Sequence, residues 1–341
     1  MRTAKSSKAE EPSRALTQLV AELAELLAPA EAAALAAAPR TSRPIVLVVG
    51  APRSGATLIM QWLAASGLVA YPSNVLARFA HAPAIGARIQ RLLLDPVYAH
   101  KDELGDLAPA PPGFTSELGR TSGALAPHEF TEFWRRFLPT REVEPLGART
   151  SEVDLAGLRR ALAALTSVFE RPFAAKAPML QFDLPHFTDA LPEAIVLHVV
   201  RDGVANARSI LEARKRLLGS YERWHGARPP EYWDLVALPP ADQAAGQVHH
   251  TNRHIAAALA SLPAARALRC EYEAFCAAPA RLHAALLAAL TATSKTLGQT
   301  FEPGAAAEYQ GPGSFTPSDR RQAKGAELEA VPAAWARFSD V

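Results

Sequence analysis

Residues 50 to 57 carry the side chains best suited to chemistry, because they join a glycine-rich turn to an arginine and two hydroxyl groups. An apolar run at 45 to 49 predicts a buried strand before this turn, and apolar spacing from Thr57 predicts a helix after it. Backbone N–H groups at such a junction point toward one place, and the helix dipole adds positive charge. We therefore expect the segment to bind an oxyanion, with Arg53 supplying further charge.

The spacing of Gly50 and Gly55 matches the P-loop of nucleotide triphosphatases, but the residue after the second glycine differs. Those proteins need a lysine there to reach a γ-phosphate, whereas this chain has Ala56 followed by Thr57. A P-loop kinase is therefore disfavoured, although it stays an alternative because it would use the same fold. An ordinary glycine-rich turn is the plainest interpretation of this segment taken alone.

A second basic position follows another apolar run, 194 to 200, where Arg201 and Asp202 precede a helical pattern. Arg201 leaves the carboxyl end of the predicted strand, and Ser209 comes two helical turns later, so both can face one anion. The plainer interpretation is an aspartate cap beside a surface arginine. Two such junctions in this order are hard to obtain by accident.

Together these motifs resemble those of the sulfotransferases that use 3′-phosphoadenosine 5′-phosphosulfate (PAPS), over roughly residues 44 to 290. The resemblance implies sulfuryl transfer from PAPS to a hydroxyl of a glycan or small molecule, giving 3′-phosphoadenosine 5′-phosphate (PAP). It implies a 5′-phosphosulfate site formed by Arg53, Ser54, Gly55, Ala56 and Thr57. It also implies that Arg201 and Ser209 bind the 3′-phosphate, and that Arg53 stabilises the leaving phosphate. The chain departs from the family's pattern at Ala56, where Thr is usual, and at Gly203, where Pro is more common.

The proton acceptor is not where the resemblance would place it. Several branches of the family carry a glutamate after the short strand that follows the loop helix, but residues 71 to 75 include no acid or histidine. Asn74 is suited to binding acceptor hydroxyls there. By elimination we assign the catalytic base to His128 and Glu129, which follow a long loop at the predicted start of a helix. Three flanking aromatic residues are expected to line an acceptor pocket: Phe130, Phe133 and Trp134.

Other residues leave alternatives open. The remaining candidates for the base are His81, His100 and Glu117. Lys176, just past a predicted strand, either adds charge at the site or is solvated. His250 and His254 share one face of a helix, but no acid or third ligand accompanies them in the sequence, so we predict a surface helix and no metal. Without a base, the chain would be a non-catalytic protein that binds PAP or another nucleotide.

The composition is that of an ordinary globular protein, with 49% hydrophobic and 21% charged residues among 341. Its net charge of +2 predicts no general affinity for nucleic acid. The sequence has neither an apolar run of about 18 residues nor a signal-peptide pattern, so we predict no membrane span. Cys270 and Cys276 are most simply reduced thiols, which favours a cytoplasmic location. Heavy use of Ala, Arg and Pro is typical of a GC-rich bacterial genome.

The alternation of apolar runs and helical patterns predicts an α/β fold, a P-loop-like parallel sheet flanked by helices. The strands are predicted at 45–49, 172–175, 194–200 and 266–270. The main helices are predicted at 73–95, 153–169, 178–191, 203–217 and 240–261, with another from Pro127. Many prolines and glycines between 96 and 127 predict a long loop that is functional or disordered.

The chain divides into an N-terminal extension, residues 1–42, and a sulfotransferase domain, residues 43–341. Residues 1–12 are polar and expected to be disordered, and residues 12–38 predict one helix or two helices broken at Pro29. This helical segment either packs on the domain or joins another protomer in an oligomer.

Overall fold

The fold is built around a parallel sheet. The computed structural model describes residues 13–98, 113–317 and 325–339. Within these ranges the sheet has four strands in the order β2-β1-β3-β4, and every neighbouring pair is parallel. The strands are β1 (Ile45–Val49), β2 (Phe173–Lys176), β3 (Ala194–Val200) and β4 (Ala267–Glu271). This confirms the predicted α/β class, and each strand begins and ends within a residue of its predicted position.

Helices cover both faces of the sheet. They are α1 (Arg14–Ala36), α2 (Ala56–Ser66), α3 (Asn74–Ala77), α4 (Pro83–Leu94), α5 (Thr131–Arg135), α6 (Leu155–Phe169), α7 (Leu184–Ala190), α8 (Gly203–Leu218), α9 (Tyr232–Leu235), α10 (Pro240–Leu259), α11 (Tyr272–Ala277), α12 (Pro279–Thr296), α13 (Ala326–Glu329) and α14 (Val331–Ser339). In the described part of the chain, none of them is both long enough and apolar enough to cross a bilayer.

Alternate residues of β1 enter two different hydrophobic cores. Ile45 and Leu47 pack in one core with Phe173, and Val46 and Val48 pack in the other with Trp62. All five residues of β1 are buried, because helices lie on both sides of the sheet. The loop that follows β1 is thereby fixed at the carboxyl edge of a rigid sheet.

The N-terminal helix packs on the rest of the chain and is not broken at Pro29. Helix α1 runs from Arg14 to Ala36 with Pro29 inside it, which corrects the alternative of two helices. An interior proline costs about 3 kcal/mol, and tertiary contacts offset this cost. The carboxylate of Glu31, which is buried, accepts hydrogen bonds from Ala84 N at 3.1 Å and Ile85 N at 3.0 Å, at the start of α4. Residues 1–12 lie outside the described residues.

Two of the predicted helices are interrupted. The segment 73–95 forms α3 and α4 as separate helices, because Ala82, which precedes Pro83, is not helical. The segment 178–191 likewise begins with one short 3₁₀ turn, Pro178–Leu180, before α7 starts at Leu184. Helices α6, α8 and α10 match their predicted bounds within two residues.

Candidate active site

The segment from Gly50 to Thr57, here called the donor loop, turns sharply between β1 and the first turn of α2. Arg53 and Gly55 have left-handed backbones, with φ of 67° and 101°. A Cβ atom at Gly55 would lie 2.3 Å from the ring of Tyr272, and one at Gly50 would lie 2.5 Å from the carbonyl oxygen of Val199. Both glycines are therefore needed, because the ends of β3 and β4 press against the loop.

Hydrogen bonds connect α8 and Arg201 just before it to the donor loop, both to the backbone of the loop and to the side chain of Arg53. Asn206 Nδ2 donates to Pro52 O at 2.6 Å, and Arg201 Nη1 donates to Arg53 O at 3.0 Å. Arg53 Nε in turn donates to Ser209 Oγ at 3.4 Å. Arg53, Arg201 and Ser209, predicted from two distant motifs, therefore meet at one edge of the sheet.

The neighbouring guanidinium groups favour a bound anion. Burial, followed by the positive charge of Arg201, lowers the pKa of Arg53 below its ordinary value. Burial is also the main cause of the lowered pKa of Arg201, which is 7% exposed. Desolvation and mutual repulsion both disfavour the charged forms, and an oxyanion between them would relieve both effects.

The other predicted residues of the donor loop divide into two groups. Gly55, Ala56 and Thr57 line the cleft described below, at the first turn of α2, where backbone N–H groups lack helical partners. Ser54 does not line it. The Ser54 side chain is buried, its N–H donates to Ala51 O at 3.1 Å, and its hydroxyl has no hydrogen-bond partner among the described residues.

Lys176, the last residue of β2, points at the donor loop and is buried rather than solvated. Its Nζ donates to Thr57 Oγ1 at 2.8 Å and to Glu129 Oε1 at 3.0 Å. Trp134 Nε1 donates to the carbonyl of Lys176 at 2.8 Å and fixes this end of the strand. The ammonium group thus links the donor loop to one of the two residues predicted as the base.

His128 and Glu129 line the same cleft but do not lie on a helix. Helix α5 begins at Thr131 and not near Pro127, because Phe130 has a left-handed backbone with φ of 58°. The N–H of Phe130 donates to His128 Nδ1 at 2.9 Å. In the neutral imidazole this leaves the proton on Nε2, so neither ring nitrogen is free to accept one. Burial is the main cause of the lowered pKa of His128.

Glu129 keeps the capacity to accept a proton. Lys176 is the main cause of the lowered pKa of Glu129, so its carboxyl group is ionised at neutral pH. Its side chain is 56% exposed, so an acceptor entering the cleft can reach it. The pair predicted from the sequence thus has unequal members, because Nδ1 of His128 already accepts a hydrogen bond whereas the ionised Glu129 carboxylate is exposed to the cleft.

The aromatic residues near this pair do not form an acceptor pocket. Phe130, Phe133 and Trp134 are at most 1% exposed and belong to the core beneath the sheet. The rings of Phe130 and Phe133 stack at 4.6 Å between centroids. The expectation that they line the site was wrong, because all three side chains pack in this core.

Residues of the donor loop, β2, α8 and the segment before α5 line one cleft of about 1570 Å³ at the carboxyl edge of the sheet. Its basic residues are Arg53, Arg120, Arg135, Arg141, Lys176, Arg201, Arg208 and Arg216. Its acidic residues are Glu117, Glu129, Glu142, Asp202 and Glu212. The basic residues outnumber the acidic ones, so the cleft is locally positive although the net charge of the whole chain is small.

The other residues predicted for the site differ in whether they line the cleft. Asn74 lines the cleft, and its Nδ2 donates to Gly123 O at 2.8 Å. Glu117 also lines it and pairs with Arg216 at 3.2 Å. His81 is exposed and is not among the lining residues, and His100 lies outside the described residues. Of the three reserve candidates for the base, Glu117 alone is placed at the cleft among the described residues.

An acidic residue does accompany the histidines of α10, contrary to the sequence-based expectation. Glu231 Oε1 lies 3.0 Å from His254 Nε2 and 3.4 Å from His250 Nδ1, because the turn before α9 folds back onto α10. Arg253 Nη2 also pairs with this oxygen at 2.6 Å. Within the described ranges, the side chains form no group of three or more that could hold a metal ion. Cys270 and Cys276 are both free thiols and are buried.

Sequence reasoning missed His225, which also lines the cleft. Its neighbour Gly226 contacts Pro52 in the donor loop, a pairing that no spacing in the sequence indicates. A histidine beside a glycine and a tryptophan carries no recognisable motif, so no available signal pointed to it.

A parallel sheet flanked by helices, with a glycine-rich loop after its first strand and a basic cleft at its carboxyl edge, defines the α/β class of this protein. The family model described as "Sulfotransferase family" matches residues 44–293, nearly the span over which the sequence resembled that family. The chain belongs to the sulfotransferase family. No curated protein matches the chain in sequence.

Several solved sulfotransferase structures match the chain at low sequence identity. Sulfotransferase STF9 from Mycobacterium avium is 15% identical, with 97% of this chain and 87% of that chain covered and a TM-score of 0.48. Sulfotransferase STF1 from Mycobacterium tuberculosis H37Rv is 16% identical, with coverages of 94% and 82% and a TM-score of 0.46. The sulfotransferase domain of the Synechococcus PCC 7002 olefin synthase is 18% identical, with coverages of 88% and 95% and a TM-score of 0.37.

Proposed function

We propose that this chain transfers a sulfuryl group from PAPS to a hydroxyl of a glycan or small molecule and releases PAP. The observation that carries the proposal is the meeting of two anion sites in one cleft. The donor loop supplies backbone N–H groups and Arg53, and α8 supplies Ser209 at 3.4 Å from Arg53 Nε. Arg201 adds a second guanidinium at the base of α8.

These residues fit a nucleotide with phosphate groups at both ends. Gly55, Ala56 and Thr57 offer N–H groups to the 5′ end, and Arg201 and Ser209 offer charge and a hydroxyl to the 3′-phosphate. PAPS supplies an activated sulfuryl group when it is bound. The hydroxyl of Ser54 is buried and does not line the cleft, so its predicted contact with the donor is the part of the proposal that the geometry supports least.

The chain's own residues divide the remaining work. Arg53 and Lys176 bring positive charge to the side of the cleft where negative charge develops on the leaving phosphate. Glu129, the better base of the predicted pair, accepts the acceptor's proton. Lys176, which contacts both Thr57 and Glu129, holds the base close to the loop.

Calorimetry with PAP, PAPS and ATP tests the donor half of this proposal. We expect PAP and PAPS to bind tightly and ATP weakly, because Arg201 and Ser209 suit a 3′-phosphate that ATP lacks and Ala56 replaces the lysine that a triphosphate needs. ATP bound as tightly as PAP would contradict the proposal and favour the kinase alternative.

Transfer assays test the chemical half. Radiolabelled sulfuryl transfer from PAPS would be measured with p-nitrophenol, N-acetylglucosamine, glucose and 1-octanol as acceptors, with water as the reference. Sulfated product with at least one acceptor supports the proposal. Tight PAP binding with no transfer to any acceptor or to water would favour the non-catalytic alternative.

Two further parts of the proposal concern the setting of the reaction. We place it in the cytoplasm, as composition and thiol chemistry suggest. Oligomer formation through α1 stays a prediction, and the contact of Glu31 with α4 occupies one face of this helix within the chain itself.

A further inference from the structure

The segment that connects α8 to α9 lies directly over the donor loop. A Cβ atom at Gly226 would lie 2.9 Å from Pro52 Cγ, so the backbone of this segment packs closely on the Pro52 ring. The preceding residue, His225, is half-buried and lines the cleft with Arg53 and Glu129. A histidine that no sequence motif predicted is therefore part of the wall around the donor loop.

A buried polar network holds this segment in place. Gln247 Nε2 donates to the carbonyls of His225 at 3.0 Å and Ala227 at 2.6 Å. Gln247 Oε1 accepts from Arg214 Nη2 at 3.2 Å, and both side chains are fully buried. The guanidinium of Arg214 lies 4.7 Å from the centroid of the Trp224 ring. The position of His225 is thus set by two long helices and not by a loose surface loop.

The imidazole of His225 is available for contact with a ligand. Among the described residues, neither ring nitrogen has a hydrogen-bond partner. Burial lowers the pKa of His225, the charges of Arg214 and Arg53 lower it further, and Glu129 opposes them. At neutral pH the ring is therefore uncharged and carries one N–H donor.

This electrostatic setting favours donation over proton acceptance. A base must become an imidazolium ion, and the cations of Arg53 and Arg214 repel that charge. A neutral N–H donor gains from the same setting, because it can stabilise negative oxygen without adding a third cation. Glu129, an ionised carboxylate on the same cleft, is better suited to accept the proton.

We propose that His225 donates a hydrogen bond to the sulfuryl group in transfer, on the donor-loop side of the cleft next to Arg53. This inference rests on the proposed function. In the step, the bond from sulfur to the leaving phosphate oxygen breaks and a bond from sulfur to the acceptor oxygen forms. The acceptor's proton passes to Glu129, and His225 keeps its own proton throughout.

The test compares His225→Ala with His225→Gln and with the control Glu222→Ala. Glu222 lies in the same segment, is exposed and does not line the cleft. The probe is PAPS with the best acceptor of the panel, and the readouts are kcat and the affinity for PAP. We expect His225→Ala to lower kcat by ~10–100-fold with unchanged PAP affinity, because PAP has no sulfuryl group. The amide N–H of His225→Gln should restore much of the loss, and Glu222→Ala should match the unaltered protein.

A second readout separates contact from mere support of the fold. The ring nitrogen signals of His225 in an ¹⁵N NMR spectrum should shift on addition of PAPS and move far less with PAP. Unchanged kcat in His225→Ala would overturn the inference, as would a His225→Gln variant as slow as His225→Ala, which would indicate a base. If the unaltered protein fails to bind PAP, the proposed function fails instead, so the two failures are distinguishable.

Discussion

Arg201 has two tasks in this site. It is 7% exposed, and its Nη1 donates to the carbonyl of Arg53 at 3.0 Å, so it supports the shape of the donor loop. Its guanidinium also lies over the ring of Tyr272, 5.3 Å from the centroid. A substitution at this position therefore removes both a positive charge and a hydrogen bond to the loop backbone. An experiment must distinguish the effect of losing the charge from the effect of losing the hydrogen bond.

Replacing Arg201 with alanine should weaken PAP binding by ~1.5–3 kcal/mol, because a charge-assisted contact with the 3′-phosphate is lost. Adenosine 5′-phosphosulfate, which lacks that phosphate, should lose far less affinity. The control is Asn206→Ala, which removes the hydrogen bond to Pro52 O at 2.6 Å and no charge. Asn206→Ala should lower the affinity for PAP and the affinity for adenosine 5′-phosphosulfate by the same factor. Equal losses for both nucleotides in Arg201→Ala would show that Arg201 does not bind the 3′-phosphate.

Replacing Glu129 with glutamine should lower turnover by ~10²–10⁴-fold while PAP affinity stays near that of the unaltered protein. The matched variant, His128→Ala, should have a smaller effect, because Nδ1 of that ring already accepts the Phe130 N–H. Steady-state kinetics and calorimetry on both variants provide the check. Near-normal turnover in both would show that the base lies elsewhere, and Glu117 would be the next residue to replace.

The pH dependence of turnover should depend on Lys176. This residue is the main cause of the lowered pKa of Glu129, so the carboxylate persists to lower pH than a free glutamate would. In Lys176→Met that pKa should rise, and the acidic limb of the kcat profile should move to higher pH. Since Lys176 also contacts Thr57, PAP affinity would be measured alongside. An acidic limb that does not move would show that the ionisation of Glu129 does not control kcat.

At the scale of the elements, the sequence predicted what short-range patterns determine. The buried strands were visible as apolar runs, and the positions of Arg53 and Arg201 followed from their strand-to-helix junctions. The start of α5 was missed because no local pattern marks the left-handed backbone of Phe130, whose ring stacks on Phe133 in the core. The contact of Lys176 with Thr57 and Glu129 joins three distant segments, and no local pattern encodes it.

Replacing Gly55 with alanine should destabilise the donor loop and abolish PAP binding. The new Cβ atom would meet the Tyr272 ring at 2.3 Å in a backbone with φ of 101°. The control is Gly298→Ala, where φ is 69° and no atom lies within 4 Å of the added carbon. Gly298→Ala should lower the free energy of unfolding by only ~1–2 kcal/mol, which is the cost of placing an alanine in a left-handed backbone. Thermal unfolding with and without PAP gives the comparison. An equal loss of stability in both variants would contradict the steric restriction that the Tyr272 ring places on Gly55.

At the scale of the whole molecule, the site depends on residues beyond the family match. Trp335 of α14 packs so closely on Gly203 that a Cβ atom there would lie 2.1 Å from its ring. Arg208 Nε donates to the carbonyl of Leu328 at 3.0 Å. Helices α13 and α14 therefore support α8, which carries the cleft residue Ser209.

The cations of the cleft lead us to expect that turnover persists in EDTA. Arg53, Lys176 and Arg201 together place three fixed positive charges around the donor loop, where they can neutralise the leaving phosphate. The assay is sulfuryl transfer before and after exhaustive chelation. Activity lost on chelation and restored by Mg²⁺ or Zn²⁺ would contradict this expectation and direct attention to Glu231, His250 and His254.

The order of the strands also bears on how the chain is made. Strand β1 is synthesised early, yet Ile45 pairs with Phe173 and with Ala194, and β4 joins only beyond β3. Pairings this distant along the chain are slow to form, because long loops must close first. As the polypeptide leaves the ribosome, the donor loop therefore gains its contact with Arg201 first and its contact with Tyr272 second, and α8 gains the packing of Trp335 last. A nascent chain that stalls before α14 would contain the donor loop, Arg201 and Tyr272 but would lack the packing of Trp335 on Gly203 that supports α8.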